Sequence, residues 1–548
     1  MTLLTSARTM AVGTVASRAT GFLRTAVLAA VLGVLGVADA FNVANTAPNV
    51  VYDLLLGGIL TSVVVPLMVR AAREGEEQGQ LYAQRLLSAT LVALGGASLL
   101  LVLLAPQIID LYAPASTDAA TRELAVLFAR FFLPQVLFYG LGAVMGAYLN
   151  TQGRFGPPMR APVLNNVVVI ATGLLFLVVP GPTLLSSGTI TDTQVAVVGV
   201  GVTLGILAQT IALLPAMRAT GLRLRLRLDL RGSGLGSAAR LGRWTLVYVA
   251  CNQLALLVVV RLALASSSGA PGRGYSAFVY AFLLWQLPHA VVAVSIITAL
   301  LPGMSRSAAD GQLNALRAQL DRGLRLTVAI LVPAAVAYLV LGRAIATVVF
   351  AHGRVSVPQA RLIGELLAVF AVGLVAFSAY QLQLRAFYAL QDTRTPALVN
   401  LVVNATAVTA DLLLFVLLPD PQRVLGLAAG QSASYLVGVA VCTRVLSRRV
   451  PRDPAGHVLR TAVRCLAAAI PAGLLAAVLV RGIGSVLGVD WPASLVVLCT
   501  VTPVLGLGYA GLARRVRVRE VDELAAPLLR RLSLKRTAAA RPVQTEIP

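Results

Sequence analysis

The chain has 548 residues, 58% of them hydrophobic and 12% charged, with a formal net charge of +23 and a mean hydropathy of +0.83. Long apolar runs separated by short arginine-rich connectors exclude a water-soluble domain and describe a polytopic helical membrane protein, because backbone in lipid must satisfy its own hydrogen bonds. Lys535 is the sole lysine and the arginines cluster in alternate connectors, so the charge points to anionic lipid headgroups as partners and away from nucleic acid.

Apolar runs long enough to cross a bilayer fall near 6–33, 38–70, 84–113, 122–150, 160–180, 192–217, 238–267, 275–303, 320–350, 358–390, 395–418, 423–446, 460–481 and 491–513. About fourteen transmembrane helices are therefore expected. The first begins the chain and resembles a secretory signal only in its Ala38-Asp39-Ala40. Arg18 and Arg24 interrupt its apolar run, so it reads as an uncleaved helix.

The connectors after spans two, four, six, eight and twelve carry the arginines, among them Arg73, Arg154, Arg160, Arg225, Arg227, Arg317 and Arg448. The positive-inside rule then places both termini in the cytoplasm. Leu222 to Arg231, LRLRLRLDLR, alternates with period two; it is either a surface strip against headgroups or a topogenic linker between halves. The tail from Arg514 is basic.

The chain repeats itself. Pro66 to Gly75 at the end of span two matches Pro302 to Gly311 at the end of span eight, and Tyr148 to Arg154 matches Tyr388 to Arg394. The expected architecture is all-α, with an N-lobe at 1–217, a basic linker at 218–237 and a C-lobe at 238–446. The two six-helix lobes are related by a pseudo-two-fold along the membrane normal. Two extra helices occupy 447–513 and a basic tail 514–548.

Few groups at membrane depth can carry chemistry. Cys251, Cys442, Cys465 and Cys499 lack metal or redox spacing and read as packing residues, and no GxxxxGK[ST] loop occurs. Gly13, Ser17 and Gly21 form a small-residue stripe for helix packing. Arg18 and Arg24, about 120° apart around the same helix, can border one cavity. A guanidinium at this depth costs at least about 2.5 kcal/mol, which leaves two readings: an anionic substrate, phosphate above all, or an ion pair with Asp39 or Asp53. Asp411, within TAVTADLLLFV, needs a proton, an arginine or a cation.

ASRATGFLR at 16–24, ADAF at 38–41, APN at 47–49, LNTQGRF at 149–155 and QDTRTP at 391–396 resemble the MurJ (MviN) proteins, lipid II flippases of the multidrug/oligosaccharidyl-lipid/polysaccharide exporter superfamily. The resemblance implies a transporter, not an enzyme, of the bacterial plasma membrane. It would move an undecaprenyl-diphosphate-linked disaccharide-pentapeptide to the outer leaflet for peptidoglycan synthesis, alongside cell-wall synthesis proteins. It places Arg18 and Arg24 at the diphosphate, with Asp39 and Asn49 also matching. Thr46, Tyr52 and Leu283 stand where many relatives are basic, and Arg261 is the candidate to compensate. It implies no cofactor beyond a monovalent cation, sodium or a proton, held by Asp411, Asn252 and Ser432. The alternatives are a flippase for another lipid-linked saccharide and a drug/cation antiporter of the same superfamily.

Overall fold

A computed structural model describes residues 3–54, 65–182, 185–222, 225–227, 229, 235–270, 272–451 and 456–523; among them there is no strand. The helices are α1 (Leu3–Leu32), α2 (Gly36–Asp53), α3 (Val65–Glu74), α4 (Glu76–Leu103), α5 (Ala105–Tyr112), α6 (Ala119–Phe132), α7 (Gln135–Thr151), α8 (Gly156–Val178), α9 (Asp192–Ile211) and α10 (Leu214–Arg218). They continue as α11 (Leu235–Gly269), α12 (Tyr275–Pro288), α13 (Val294–Ala309), α14 (Leu313–Phe350), α15 (Val357–Ala389), α16 (Arg394–Leu417), α17 (Arg423–Leu446), α18 (His457–Leu487) and α19 (Trp491–Arg515). Thirteen spans among the described residues are long and apolar enough to cross a membrane, each matching a predicted one. The remaining span, predicted near 38–70, begins in α2 and ends in α3, and its residues 55–64 lie outside the described residues.

Several spans are broken where the sequence removes a backbone donor. Span four is interrupted at Leu133-Pro134, and span eight passes through a π-helical turn, His289–Ala293, directly behind Pro288. Two helices end in the same kind of cap, two residues out of step with the sequence match of Tyr148–Arg154 to Tyr388–Arg394. α7 closes with the Arg154 amide donating to the Leu149 carbonyl at 2.9 Å around Gly153 at φ +70°. α15 closes the same way, the Asp392 amide donating to Phe387 at 2.9 Å, but with Gln391 at φ +60° in the left-handed position that favours glycine.

The chain divides into two compact units, each drawn from separate segments. The first comprises 1–283, 349–366 and 393–434. In it α1 lies along α8 on its small-residue stripe: a Cβ added at Gly13 would meet Met159 Cβ at 3.2 Å, and Asn166 Nδ2 donates to the Ser17 carbonyl at 3.1 Å and to Thr20 Oγ1 at 3.0 Å. The described part of the linker lies extended against α4, where the Arg227 amide donates to Ser88 Oγ at 2.8 Å and Arg85 pairs with Asp229 at 2.8 Å. Residues 223–224, 228 and 230–234 of that stretch lie outside the described residues.

The second unit comprises 284–348, 367–392 and 435–548. Here the two additional helices, α18 and α19, pack on α14: Cys465, Ala468, Ala469 and Ala472 are buried with Val328, Ala329, Val332 and Tyr509. Small side chains let the helices approach, and the Tyr509 hydroxyl donates to the Ala329 carbonyl at 2.8 Å. The buried Cys465 and Cys442 are packing residues, as their spacing implies. Of the basic tail, residues 524–548 lie outside the described residues.

Candidate functional site

On α1, Arg24 continues the azimuth of the stripe that packs on α8, seven residues after Ser17 and one turn beyond Gly21, whereas Arg18 is turned about 100° from Ser17. Arg18 is exposed; Arg24 is partly exposed, with its Nε buried and lacking a hydrogen-bond partner. Neither forms an ion pair among the described residues. The two carboxylates that could have neutralised them are engaged elsewhere: Asp53 accepts from Gln253 Nε2 at 3.4 Å, and Asp39 is bonded to two serines. Of the two readings open from sequence, no ion pair of Arg18 or Arg24 with Asp39 or Asp53 is present among the described residues.

Around Arg24 the first unit gathers a polar patch. Asn49, Tyr52 and Asp53 share the end of α2; Tyr139 of α7 donates its hydroxyl to Asn49 Oδ1 at 3.3 Å, and its ring lies 4.5 Å, centroid to centroid, from that of Tyr52. Tyr139 is also the electrostatic neighbour of the Arg24 guanidinium. From α11, Gln253 closes the patch through Asp53 and keeps its Oε1 buried and unpartnered. Arginine offers a planar fork of donors, and the Asn49 amide adds two more, a set suited to phosphate oxygens. Asp53, four residues beyond Asn49, sets a carboxylate at the edge of the patch through its bond with Gln253. Tyr52 thus fills with an aromatic ring a place where the resemblance leads one to expect a base. Tyr139 escaped the sequence reading, since a tyrosine in an apolar span shows only one polar atom.

Asp39 takes a different position from the one expected. It is 2% exposed; Oδ2 accepts from Ser267 Oγ at 2.8 Å and Oδ1 from the Ser276 amide at 2.7 Å, so its oxygens join α2 to the α11–α12 turn instead of lining the polar patch. Gly274 lets the turn approach: a Cβ there would lie 2.2 Å from Asp39 Oδ2. Asn42 Nδ2 donates to Ser276 Oγ at 2.9 Å and Thr46 shares a 3.2 Å hydrogen bond with the Tyr275 hydroxyl, which extends the junction along α2. At the end of α1, the Arg354 amide donates to the Ala30 carbonyl at 2.8 Å and its Nη1 to Val31 at 3.3 Å. The neighbouring Gly353, at φ +59°, leaves no room for a Cβ, which would sit 2.3 Å from the Ala30 oxygen. Together these contacts seal the end of the first unit at the α1–α2 turn.

Arg261 donates through Nη1 to the carbonyls of Asp110 and Leu111, at 3.2 and 2.8 Å, and so caps α5. It is not brought to Arg24. Leu283, in α12, is a partly buried apolar residue.

The three residues expected to hold a cation divide into two places. Asn252 Oδ1 accepts from Asn400 Nδ2 at 3.0 Å and Asn404 Nδ2 at 2.8 Å, a cluster of amides between α11 and α16. Asp411 lies two turns further along α16, about 10 Å by helical rise, fully buried against Gly430 of α17 with both carboxylate oxygens lacking a hydrogen-bond partner. Ser432 donates to the Ala428 carbonyl at 2.9 Å on α17.

Comparison with known proteins bears on most of the chain. The family model described as "Lipid II flippase MurJ" matches residues 28–494. The chain is 30% identical over 425 residues to a Rhizobium meliloti protein described as "Probable lipid II flippase MurJ", covering 76% of each chain. It is 28% identical over 418 residues to "Lipid II flippase MurJ" of Burkholderia cenocepacia, covering 75% of this chain and 77% of that one. Among solved structures, "Lipid II flippase MurJ, inward closed conformation" superposes with a TM-score of 0.72 at 18% identity, over 92% of this chain and 99% of that one. An inward-facing multidrug resistance MATE family transporter of the MOP superfamily gives 0.63 at 15%, over 79% and 95%. These structural likenesses show the fold.

Proposed function

The chain belongs to the lipid II flippase MurJ family, and we propose that it carries lipid II from the inner to the outer leaflet by alternating access, without altering the substrate chemically. The observation that carries this reading is the pair Arg18 and Arg24, two cations at membrane depth with no carboxylate partner among the described residues, beside the Asn49–Tyr139 patch. The diphosphate meets the arginines while the prenyl chain stays in lipid. With the arginine-rich connectors and both termini in the cytoplasm, the sealed α1–α2 turn closes the opposite, outer end, and substrate enters from inside. An inside-negative potential then favours outward movement of the two phosphate charges by roughly 2.3 kcal/mol per charge per 100 mV.

Depleting the protein from its cell and assaying lipid II leaflet by leaflet tests the reading. Accumulation in the inner leaflet is the expected outcome; unchanged distribution, or accumulation of a different lipid-linked saccharide, contradicts it.

A monovalent cation or proton at Asp411 is the proposed bias on the return step, supported by a fully buried carboxylate with two unpartnered oxygens. Asp411→Asn is expected to slow turnover several-fold while leaving lipid II affinity unchanged in a direct binding measurement. Loss of drug export with lipid II transport intact would favour an antiporter instead.

A further inference from the structure

A cleft of about 760 Å³ lies on the far side of α8 from α1, lined by Arg154, Phe155, Arg160, Leu164, Ala212 and Pro215. Its origin is local. α8 and α9 touch closely where glycines permit it: a Cβ at Gly201 would lie 2.3 Å from the Thr172 side chain, and one at Gly205 2.4 Å from Asn165 Oδ1. α9 then stops at Ile211, and α10 restarts with Pro215 in its first turn. Beside this break the small side chains of Ala212 and Ala216 leave a space against α8.

Among the described residues no acidic side chain lines that space, whereas two arginines do. Arg154 uses Nη2 to hold the Ala219 carbonyl at 2.8 Å, which fixes the side chain and leaves other guanidinium donors available. Pro157 and Pro158 remove two of the first four amide donors of α8, which leaves the arginines as the main cationic groups here. Arg160 and Leu164 share one face of α8, about 100 to 160° from Met159 and Asn166, which hold α1. The cleft is therefore separate from the Arg24 patch.

Its lower wall runs into exposed apolar surface on both helices: Leu164 and Val167 on α8, 40% and 49% exposed, and Leu204 and Ile211 on α9, 47% and 50% exposed. Cationic groups at the mouth and an apolar track continuing into the hydrocarbon match a lipid, not a soluble anion.

We propose that the α8–α10 cleft holds an anionic phospholipid of the leaflet nearest the arginine-rich connectors, its phosphate against Arg154 and Arg160 and an acyl chain along Leu164. The bound lipid fills a gap between helices that side chains leave open, and ties this part of the protein to membrane composition.

Native mass spectrometry of the full chain, released from detergent containing equal amounts of phosphatidylglycerol and phosphatidylcholine, reads the preference directly. The unaltered protein is expected to retain one phosphatidylglycerol preferentially. Arg154→Gln with Arg160→Gln is expected to lower that preference about thirtyfold. Arg154→Lys with Arg160→Lys keeps most of it, and Ala216→Trp, which fills the cleft without changing charge, abolishes it. Equal retention of the two lipids by the unaltered protein overturns the proposal, as does a preference untouched by both the glutamine pair and Ala216→Trp. Displacement of the lipid by millimolar inorganic phosphate overturns it too, by showing a site for the free anion.

Discussion

Arg24→Ala is expected to weaken lipid II binding by about 10- to 150-fold, the range that follows from losing a charge-assisted contact of about 1.5–3 kcal/mol. The size of the effect follows from the surroundings. Arg24 is partly buried, its Nε has no protein partner, and Tyr139 and Asn49 hold the neighbouring wall in place. Low dielectric keeps such a contact strong. Arg18 is exposed on the same helix, where solvent screening reduces a comparable contact to about 0.2–1 kcal/mol, so Arg18→Ala alone is expected to cost only about 1.4- to fivefold. Arg24→Lys is expected to fall between, because lysine keeps the charge but not the bidentate fork. Titration of the purified variants with lipid II checks the order; equal losses at the two positions would show that burial does not set the strength of the site.

The second large effect is expected at Asp39. Its carboxylate accepts one side-chain and one backbone donor at 2.8 and 2.7 Å from the α11–α12 turn. Removing it deletes two charge-assisted hydrogen bonds, each of about 1.5–3 kcal/mol, and strands the Ser276 amide in a buried position. Asp39→Ala is therefore expected to raise hydrogen exchange in the 270–280 segment by at least about a hundredfold and to abolish translocation, while lipid II affinity changes by less than a few-fold. Gly274→Ala is expected to act in the same direction from the other side, because its new methyl group would occupy the space of Asp39 Oδ2. Asp39→Asn, which still accepts from the Ser276 amide, retains part of the protection. If Asp39→Ala instead eliminated binding with no change in exchange, the residue would be a substrate ligand and not a latch.

The helices were legible in the sequence because hydropathy and length are local properties, and thirteen of the predicted spans recur, most within about seven residues of their expected limits; the one expected at 84–113 runs instead from Glu76 to Leu103. Their interruptions were harder to place. Pro288 directly precedes the π turn at His289–Ala293, and the breaks at Leu104 and Leu213 are each followed two residues later by a proline, Pro106 and Pro215, so each lies beside a missing donor whose effect on an apolar run hydropathy does not show. The arginines were legible as anomalies, since nothing else in an apolar span resembles them. The roles of Asp39 and Arg261 were not, because each is decided by partners far along the chain: Ser267 and Ser276 for the first, the carbonyls of Asp110 and Leu111 for the second. A motif match fixes which residue stands at a position, and only packing decides what it touches. Asn400 and Asn404, four residues apart on one helix face, carried a signal for an amide cluster with Asn252, of which sequence reading took only part.

The arginine pair is the centre of the account, and reconstituted transport addresses it most directly. Proteoliposomes containing the Arg18→Ala, Arg24→Ala double variant, matched for protein content and thermal midpoint with the unaltered chain, are to be compared for movement of labelled lipid II between leaflets under an inside-negative potential. Translocation at the level of protein-free vesicles is the predicted result. Translocation at the unaltered rate would contradict it, and would place the diphosphate away from α1.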